Sequence, residues 1–190
     1  MDEIRSFIAI EIPQSVKARI EELQKGLRRT EADVRWVSPQ GIHLTLKFLG
    51  NIRPEDVERI FQAVGPVVSA WEPFEVRIQG MGGFPSSRNP RVIWVGLDQG
   101  KGNVHSLQQA IEGRTAELSF PPEGRPFSPH LTLGRVRSPR GKMALAQALE
   151  KNKEAEVGTF RVNEVFLFRS ELKPTGAVYT KLRDWAMKQE

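Results

Sequence analysis

Apolar and polar positions alternate along residues 5–12 (RSFIAIEI), and the stretch is rich in β-branched residues, so it predicts a strand. Pro13 stands where helices begin, and over residues 14–29 the apolar positions Val16, Ile20, Leu23 and Leu27 recur every three or four residues, predicting an amphipathic helix. VRWV and IHLTLKFLG follow as two strands, and RPEDVERIFQAVGPVV predicts a second helix with Val57, Ile60, Phe61 and Val64 on one face. FEVRIQGMGGFPSSRNPRVIWVGL predicts strand, loop, strand, with Gly80, Gly82, Gly83, Pro85 and Pro90 assigned to the loop. NVHSLQQAIEGRTAEL predicts a third helix, PPEGRPFSP a loop, HLTL another strand, and residues 140–151 a fourth helix. The end of the chain predicts a hairpin of two long strands, TFRVNEVFLFRSEL and AVYTKLRDW, turning near KPTG.

This order implies an α+β protein built of two roughly matched, pseudo-symmetric lobes, with mostly antiparallel sheet and helices packed outside it. No low-complexity linker or block of like charge divides the 190 residues, so residues 1–190 are expected to form one bilobal unit.

Composition narrows the chemistry. There is no cysteine, which removes disulfides, thiolate nucleophiles and cysteine metal sites together. Three histidines remain as candidate proton carriers or ligands. The formal net charge of +5 is compatible with a polyanion such as RNA and equally with an ordinary soluble protein. No apolar run approaches the roughly 18 residues of a membrane span, and the start, MDEIRSFIAIEIP, is too short and too alternating for a signal peptide. A cytoplasmic location is expected.

Two of the three histidines open the same tetrapeptide, HLTL, at His43 and His130. On a strand, residues two apart share a face. His43 and Thr45 should therefore point one way and Leu44 and Leu46 the other, with Ile42 and Phe48 on the leucine face and Lys47 on the histidine face. His130 and Thr132 against Leu131 and Leu133 repeat the arrangement, and Pro129 favours extended backbone at Ser128. One such strand would be no more than a half-exposed sheet. Two copies with the same order, spacing and leucine partners are less easily ascribed to chance. Placed side by side, two imidazoles and two hydroxyls would suit in-line displacement at phosphorus. One ring accepts a proton from the incoming oxygen, the other donates one to the leaving oxygen, and the hydroxyls hold the nonbridging oxygens. A strained cyclic phosphate would be a fitting substrate.

HLTLKFLG and SPHLTLGRV resemble the paired His-x-Thr motifs of the 2H phosphoesterase superfamily, and most closely its bacterial and archaeal RNA 2′,3′-cyclic phosphodiesterase branch, also known as 2′-5′ RNA ligase. FIAIEIP, VRWVSPQGIHLTLKFLG, GGFPSSRNPRVIWVGL and FSPHLTLGRV extend the resemblance over nearly the whole chain. It implies two lobes about a pseudo-twofold axis, and cofactor-free, metal-independent opening of a 2′,3′-cyclic phosphate to a 2′-phosphomonoester. A related 2′-5′ joining of RNA ends is implied too. The implied partner is RNA with 2′,3′-cyclic phosphate ends, or a related nucleotide, bound by a monomer with no membrane. The resemblance makes His43 and His130 the acid–base pair, His43 on the leaving group and His130 on the water, with Thr45 and Thr132 binding phosphate. It also suggests Arg135 as a neutraliser of phosphate charge. Simple parity puts Arg135 on the leucine face, unless a bulge near Gly134 re-aims it.

Other candidates carry less. His105 falls on the third helix and is expected to pack or face solvent. GLDQGKG lacks the spacing and the Ser or Thr of a phosphate-binding P-loop. No carboxylate set stands beside either His-x-Thr strand, which disfavours a metal-dependent hydrolase. Core packing is expected for Trp36 and Phe48, and exposure near a ligand for Phe84. Among Arg88, Arg91, Lys47, Arg140 and Lys142, parity makes Lys47 the best candidate to face the groove. A non-catalytic RNA- or nucleotide-binding module is the rival reading, and it would not require two titratable rings.

Overall fold

A computed structural model describes residues 3–174 and 176–189. In chain order its elements are β1 (Ile4–Glu11), α1 (Gln14–Arg28), β2 (Val34–Trp36), β3 (His43–Ile52), α2 (Asp56–Ser69), β4 (Phe74–Phe84), β5 (Val92–Gln99), α3 (Lys101–Glu117), β6 (His130–Val136), α4 (Lys142–Lys151), β7 (Glu156–Val162), β8 (Glu164–Lys173) and β9 (Gly176–Ala186). The strands form two sheets, ordered β3-β1-β8-β9 and β2-β6-β5-β4-β7, and every pairing is antiparallel. The fold is α+β, as the hydrophobic pattern implies.

The separation of the two histidines, 87 residues, relates nearly the whole chain to itself. Shifted by that amount, β1 falls on β5, α1 on α3, β3 on β6, α2 on α4 and β4 on β8. The sheet orders match too: β3-β1-β8-β9 corresponds to β6-β5-β4-β7, with β2 added outside β6. Each half gives a strand to the other's sheet, because β4 pairs with β5 and β8 pairs with β1.

One continuous apolar core runs through both halves, joining Ile8, Leu44, Val165 and Leu167 of the smaller sheet to Val95, Leu131, Val76 and Ile78 of the larger. Helix residues Ile20, Ile60, Leu107 and Leu145 close it, all fully buried. Each such side chain contributes roughly 1.5–3 kcal/mol by leaving water. A second, smaller cluster of Phe7, Ala9, Phe166 and Phe168 lies on the other face of the smaller sheet, called here the open face.

Two expectations need correction. Gly80, Gly82 and Gly83 are not loop residues but lie inside β4. They are glycines because the strand is crowded: a Cβ on Gly82 would stand 2.5 Å from the Trp94 ring, and one on Gly83 would stand 2.5 Å from Pro90. Gly80, at φ +86°, sits where the β4–β5 register shifts. The stretch TFRVNEVFLFRSEL is not one strand. It divides at Asn163 into β7 and β8, which belong to different sheets. Alternation continues through the break, so the pattern alone hides it.

Candidate active site

Both histidine motifs open a strand, and β3 and β6 approach each other with Cα atoms within 8 Å across the boundary between the sheets. The expected split of side chains holds within each tetrapeptide. Leu44, Leu46, Leu131 and Leu133 are buried in the core, whereas His43, Thr45, His130 and Thr132 are half-buried on the open side.

Beyond the tetrapeptide both strands bulge at the same place. Thr45 pairs with Ala9 and Lys47 with Ile8, leaving Leu46 as the extra residue. Thr132 pairs with Trp94 and Gly134 with Ile93, leaving Leu133 as the extra residue. A bulge inserts one residue and reverses the parity of everything after it. Position five of each motif, Lys47 or Gly134, therefore turns to the core, and position six, Phe48 or Arg135, turns to the open face.

Three assignments change as a result. Lys47 does not face the groove. Its side chain is 1% exposed and forms a 2.6 Å ion pair with Glu112 of α3. It also donates to the Pro121 carbonyl. Phe48 is not in the core: it is 57% exposed and pairs with Phe7 on the open face, ring centroids 6.0 Å apart. Arg135 is exposed on the same side as His130 and Thr132, so the parity objection to it falls.

The two imidazoles are held differently. His43 stacks on Phe7 at 4.8 Å and on Phe168 at 5.3 Å, with the edge of Tyr179 at 4.5 Å. Burial among these rings, with a smaller push from the Lys17 charge and an opposing pull from Glu11, lowers its pKa from 6.5 to about 4. His43 is therefore neutral at pH 7. The His130 ring is fixed by a hydrogen bond instead. Its Nδ1 lies 2.6 Å from the Ser128 carbonyl oxygen, which can only accept, so Nδ1 carries the hydrogen and Nε2 is the free nitrogen. The edge of Phe84 meets the His130 ring at 5.1 Å, and Phe84 is half-buried rather than exposed.

Each ring lines its own cavity. That of His43, about 420 Å³, is bounded by Glu11, Lys17, Gln40, Tyr179 and Lys181 among others. That of His130, about 240 Å³, includes Phe84, Trp94, Lys101 and Lys153. Trp36 packs against the core as expected, under the Arg28 guanidinium. His105 is half-buried beside Phe127, a packing role. Arg88, Arg91 and Arg140 are exposed and Lys142 half-buried, and none of them lines either cavity. Among the described residues, no group of three or more His, Asp or Glu is placed to hold a metal ion. No helix among them is long and apolar enough to cross a membrane.

Sequence reasoning missed Phe7, Phe168 and Tyr179, which β1, β8 and β9 bring together around His43. It also missed Lys17. A signal existed: Lys17 and Gln24 lie seven residues apart on the edge of the α1 stripe, and both are buried.

A family model described as LigT like Phosphoesterase matches this chain twice, at residues 10–94 and 95–179, one histidine motif in each copy. The chain belongs to the LigT-like phosphoesterase family. These LigT-like phosphoesterases form part of the 2H superfamily, so the resemblance carried by the two motifs holds. The chain is 36% identical over 180 residues to a Methanothermobacter thermautotrophicus protein named RNA 2′,3′-cyclic phosphodiesterase, covering 95% of this chain and 97% of that one. The crystal structure of E. coli LigT in apo form superposes with a TM-score of 0.79 at 26% identity, covering all of both chains. E. coli LigT complexed with 3′-AMP superposes with a TM-score of 0.78 at 26% identity, covering 98% of this LigT-like chain and 99% of that one.

Proposed function

We propose that this protein opens 2′,3′-cyclic phosphates at RNA ends to 2′-phosphomonoesters without a metal, and that the same site carries out the related 2′-5′ joining of such an end to a 5′-hydroxyl. The observation that carries this reading is the shared bulge. It presents His, Thr and the sixth motif residue on one face of its strand in both halves, and the two strands adjoin, which supports a reading in which both motifs act on one phosphate. The names of the curated relatives and the 3′-AMP complex of E. coli LigT support a nucleotide substrate. One chain supplies both motifs, so residues 1–190 act as a single bilobal unit and a monomer suffices.

In this reading Thr45, Thr132 and Arg135 hold the nonbridging oxygens of the cyclic phosphodiester. Nε2 of His130 takes a proton from water as its oxygen attacks phosphorus. The bond from phosphorus to the 3′ oxygen breaks, and His43 protonates that oxygen. His43 is neutral in the free protein, so in this reading it takes up its proton from solvent as the anionic substrate binds. An anion seated beside a desolvated imidazole favours the charged ring, opposing the burial that disfavours it. In joining, a 5′-hydroxyl takes the place of water: His130 accepts its proton as the bond to phosphorus forms, and His43 again protonates the departing 3′ oxygen, the two roles exchanging only when a 2′-5′ linkage is cleaved back to the cyclic phosphate.

The test is to incubate the purified protein with an oligoribonucleotide ending in a 2′,3′-cyclic phosphate, with and without EDTA, and to identify the product phosphate. The expected result is a 2′-phosphate, formed equally with chelator. His43→Ala and His130→Ala should each slow turnover by roughly 10²–10⁴-fold. The double variant should fall little further, because the pair acts as a unit. Binding without turnover would make the chain a binding module. Turnover abolished by EDTA would make it a metal-dependent hydrolase.

A further inference from the structure

The cavity beside His43 contains a charge that the proposed chemistry leaves unused. Lys17 is only 9% exposed, although a lysine is seldom so buried unless paired. Its Nζ reaches the Gln40 carbonyl at 3.5 Å, and among the described residues no carboxylate forms an ion pair with it. Lys181 enters the same cavity from β9, but Glu11 balances it at 2.7 Å. The cavity of about 420 Å³ thus holds one uncompensated ammonium, with Gln40, Tyr179 and Thr180 as polar neighbours. Desolvating an ammonium costs several kcal/mol, which an anion seated against it would offset. The cavity opens beside His43 at the end of β3 away from Phe48, and Thr45 is not part of its wall.

A chain ending in a 2′,3′-cyclic phosphate has its next phosphate on the 5′ oxygen of the same sugar. We propose that the Lys17 cavity is a second phosphate subsite, which binds this 5′-phosphate while His43 and the two threonines engage the cyclic one. The inference rests on the cyclic phosphodiesterase reading and names what that site selects: a nucleotide with a phosphate on its 5′ side, over a bare nucleoside cyclic phosphate. Glu11 faces the same space and is held by Lys181, so the ligand meets a net single positive charge rather than a carboxylate.

The experiment compares kcat/KM for a nucleoside 2′,3′-cyclic phosphate with a free 5′-hydroxyl and for the same compound carrying a 5′-phosphate. A charged hydrogen bond predicts roughly a 10- to 100-fold advantage for the 5′-phosphate in the unaltered protein, expressed chiefly in KM. In Lys17→Met, which keeps the buried stem, that ratio should collapse towards one, and Lys17→Arg should retain most of it. Lys17→Gln provides a second neutral variant with the same expected collapse. A ratio near one in the unaltered protein overturns the proposal. So does an equal loss on both substrates in Lys17→Met with the ratio preserved, which would place Lys17 on the reacting phosphate. Absence of turnover with either substrate is a different failure, that of the functional reading itself.

Discussion

Strands β3 and β6 carry the same four residues through the same bulge, yet their surroundings differ. Around His43 the neighbours are aromatic: Phe7, Phe168 and Tyr179 wrap the ring and strip it of water. Around His130 a backbone carbonyl does the orienting, and Phe84 touches the ring only through its edge. Position five is a buried lysine in one copy and a glycine in the other, and position six is an exposed phenylalanine in one and an arginine in the other. The two halves share a backbone arrangement but surround their histidines with different side chains. The β3 half offers a dry, aromatic flank. The β6 half offers a hydrogen-bonded imidazole with a guanidinium on its face.

The sharpest way to break this comparison is at position five. Lys47 links the first motif strand to α3 through Glu112, and Glu112 also accepts from Gln108 and from the backbone N–H of Glu123. This network ties β3 to the loop that leads into His130. Lys47→Met should leave Glu112 poorly compensated and lower stability by about 3–5 kcal/mol, measured by urea denaturation. Replacing both partners with apolar residues should recover much of that loss. At the equivalent Gly134 there is no charge to orphan. An added Cβ would stand 2.6 Å from Val34 Cγ1, so Gly134→Ala should loosen β2 and cost less than Lys47→Met. Equal losses at the two positions would show that the network does not distinguish the halves.

The second test concerns the aromatic flank. With a folded-state pKa of about 4 and an unfolded value near 6.5, His43 binds a proton more readily in the unfolded chain. The folded protein should therefore lose stability as pH falls from about 6.5 to 4, by about 3 kcal/mol in total, and this contribution should level off below pH 4. Denaturation profiles of the wild type and of His43→Gln over that range isolate the effect. Parallel profiles would mean that the ring is not desolvated.

The smallest effect is expected at position six. Phe48→Ala should weaken oligoribonucleotide binding by roughly 1–3 kcal/mol, the usual value of stacking one base, with little change in its salt dependence. Arg135→Ala should weaken binding and also flatten the dependence on salt, because a phosphate contact is lost. If both variants shift the salt slope alike, the two positions do not divide base from phosphate recognition.

Much of the fold is legible from periodicity. The four helices fall close to where the sequence puts them, and α1 and α2 do so on apolar spacing alone, because an amphipathic stripe must face a core whatever lies opposite. The split of His-x-Thr from its leucines is equally local. Phe48 and Lys47 were misplaced for one reason, and it is the same reason that simple parity set Arg135 on the wrong face. Parity counts residues, and a bulge inserts one without any mark in the pattern. The division at Asn163 and the glycines of β4 were hidden likewise, since they depend on which strand lies alongside.

The sequence by itself determined most of the elements, the two roughly matched halves and the pairing of the two histidine motifs, because these follow from spacing along the chain. Only the tertiary structure decided which side chains surround each histidine and which lysine is buried beside it. Register, strand exchange between the halves and desolvation arise from partners distant in sequence, and no local pattern encodes them.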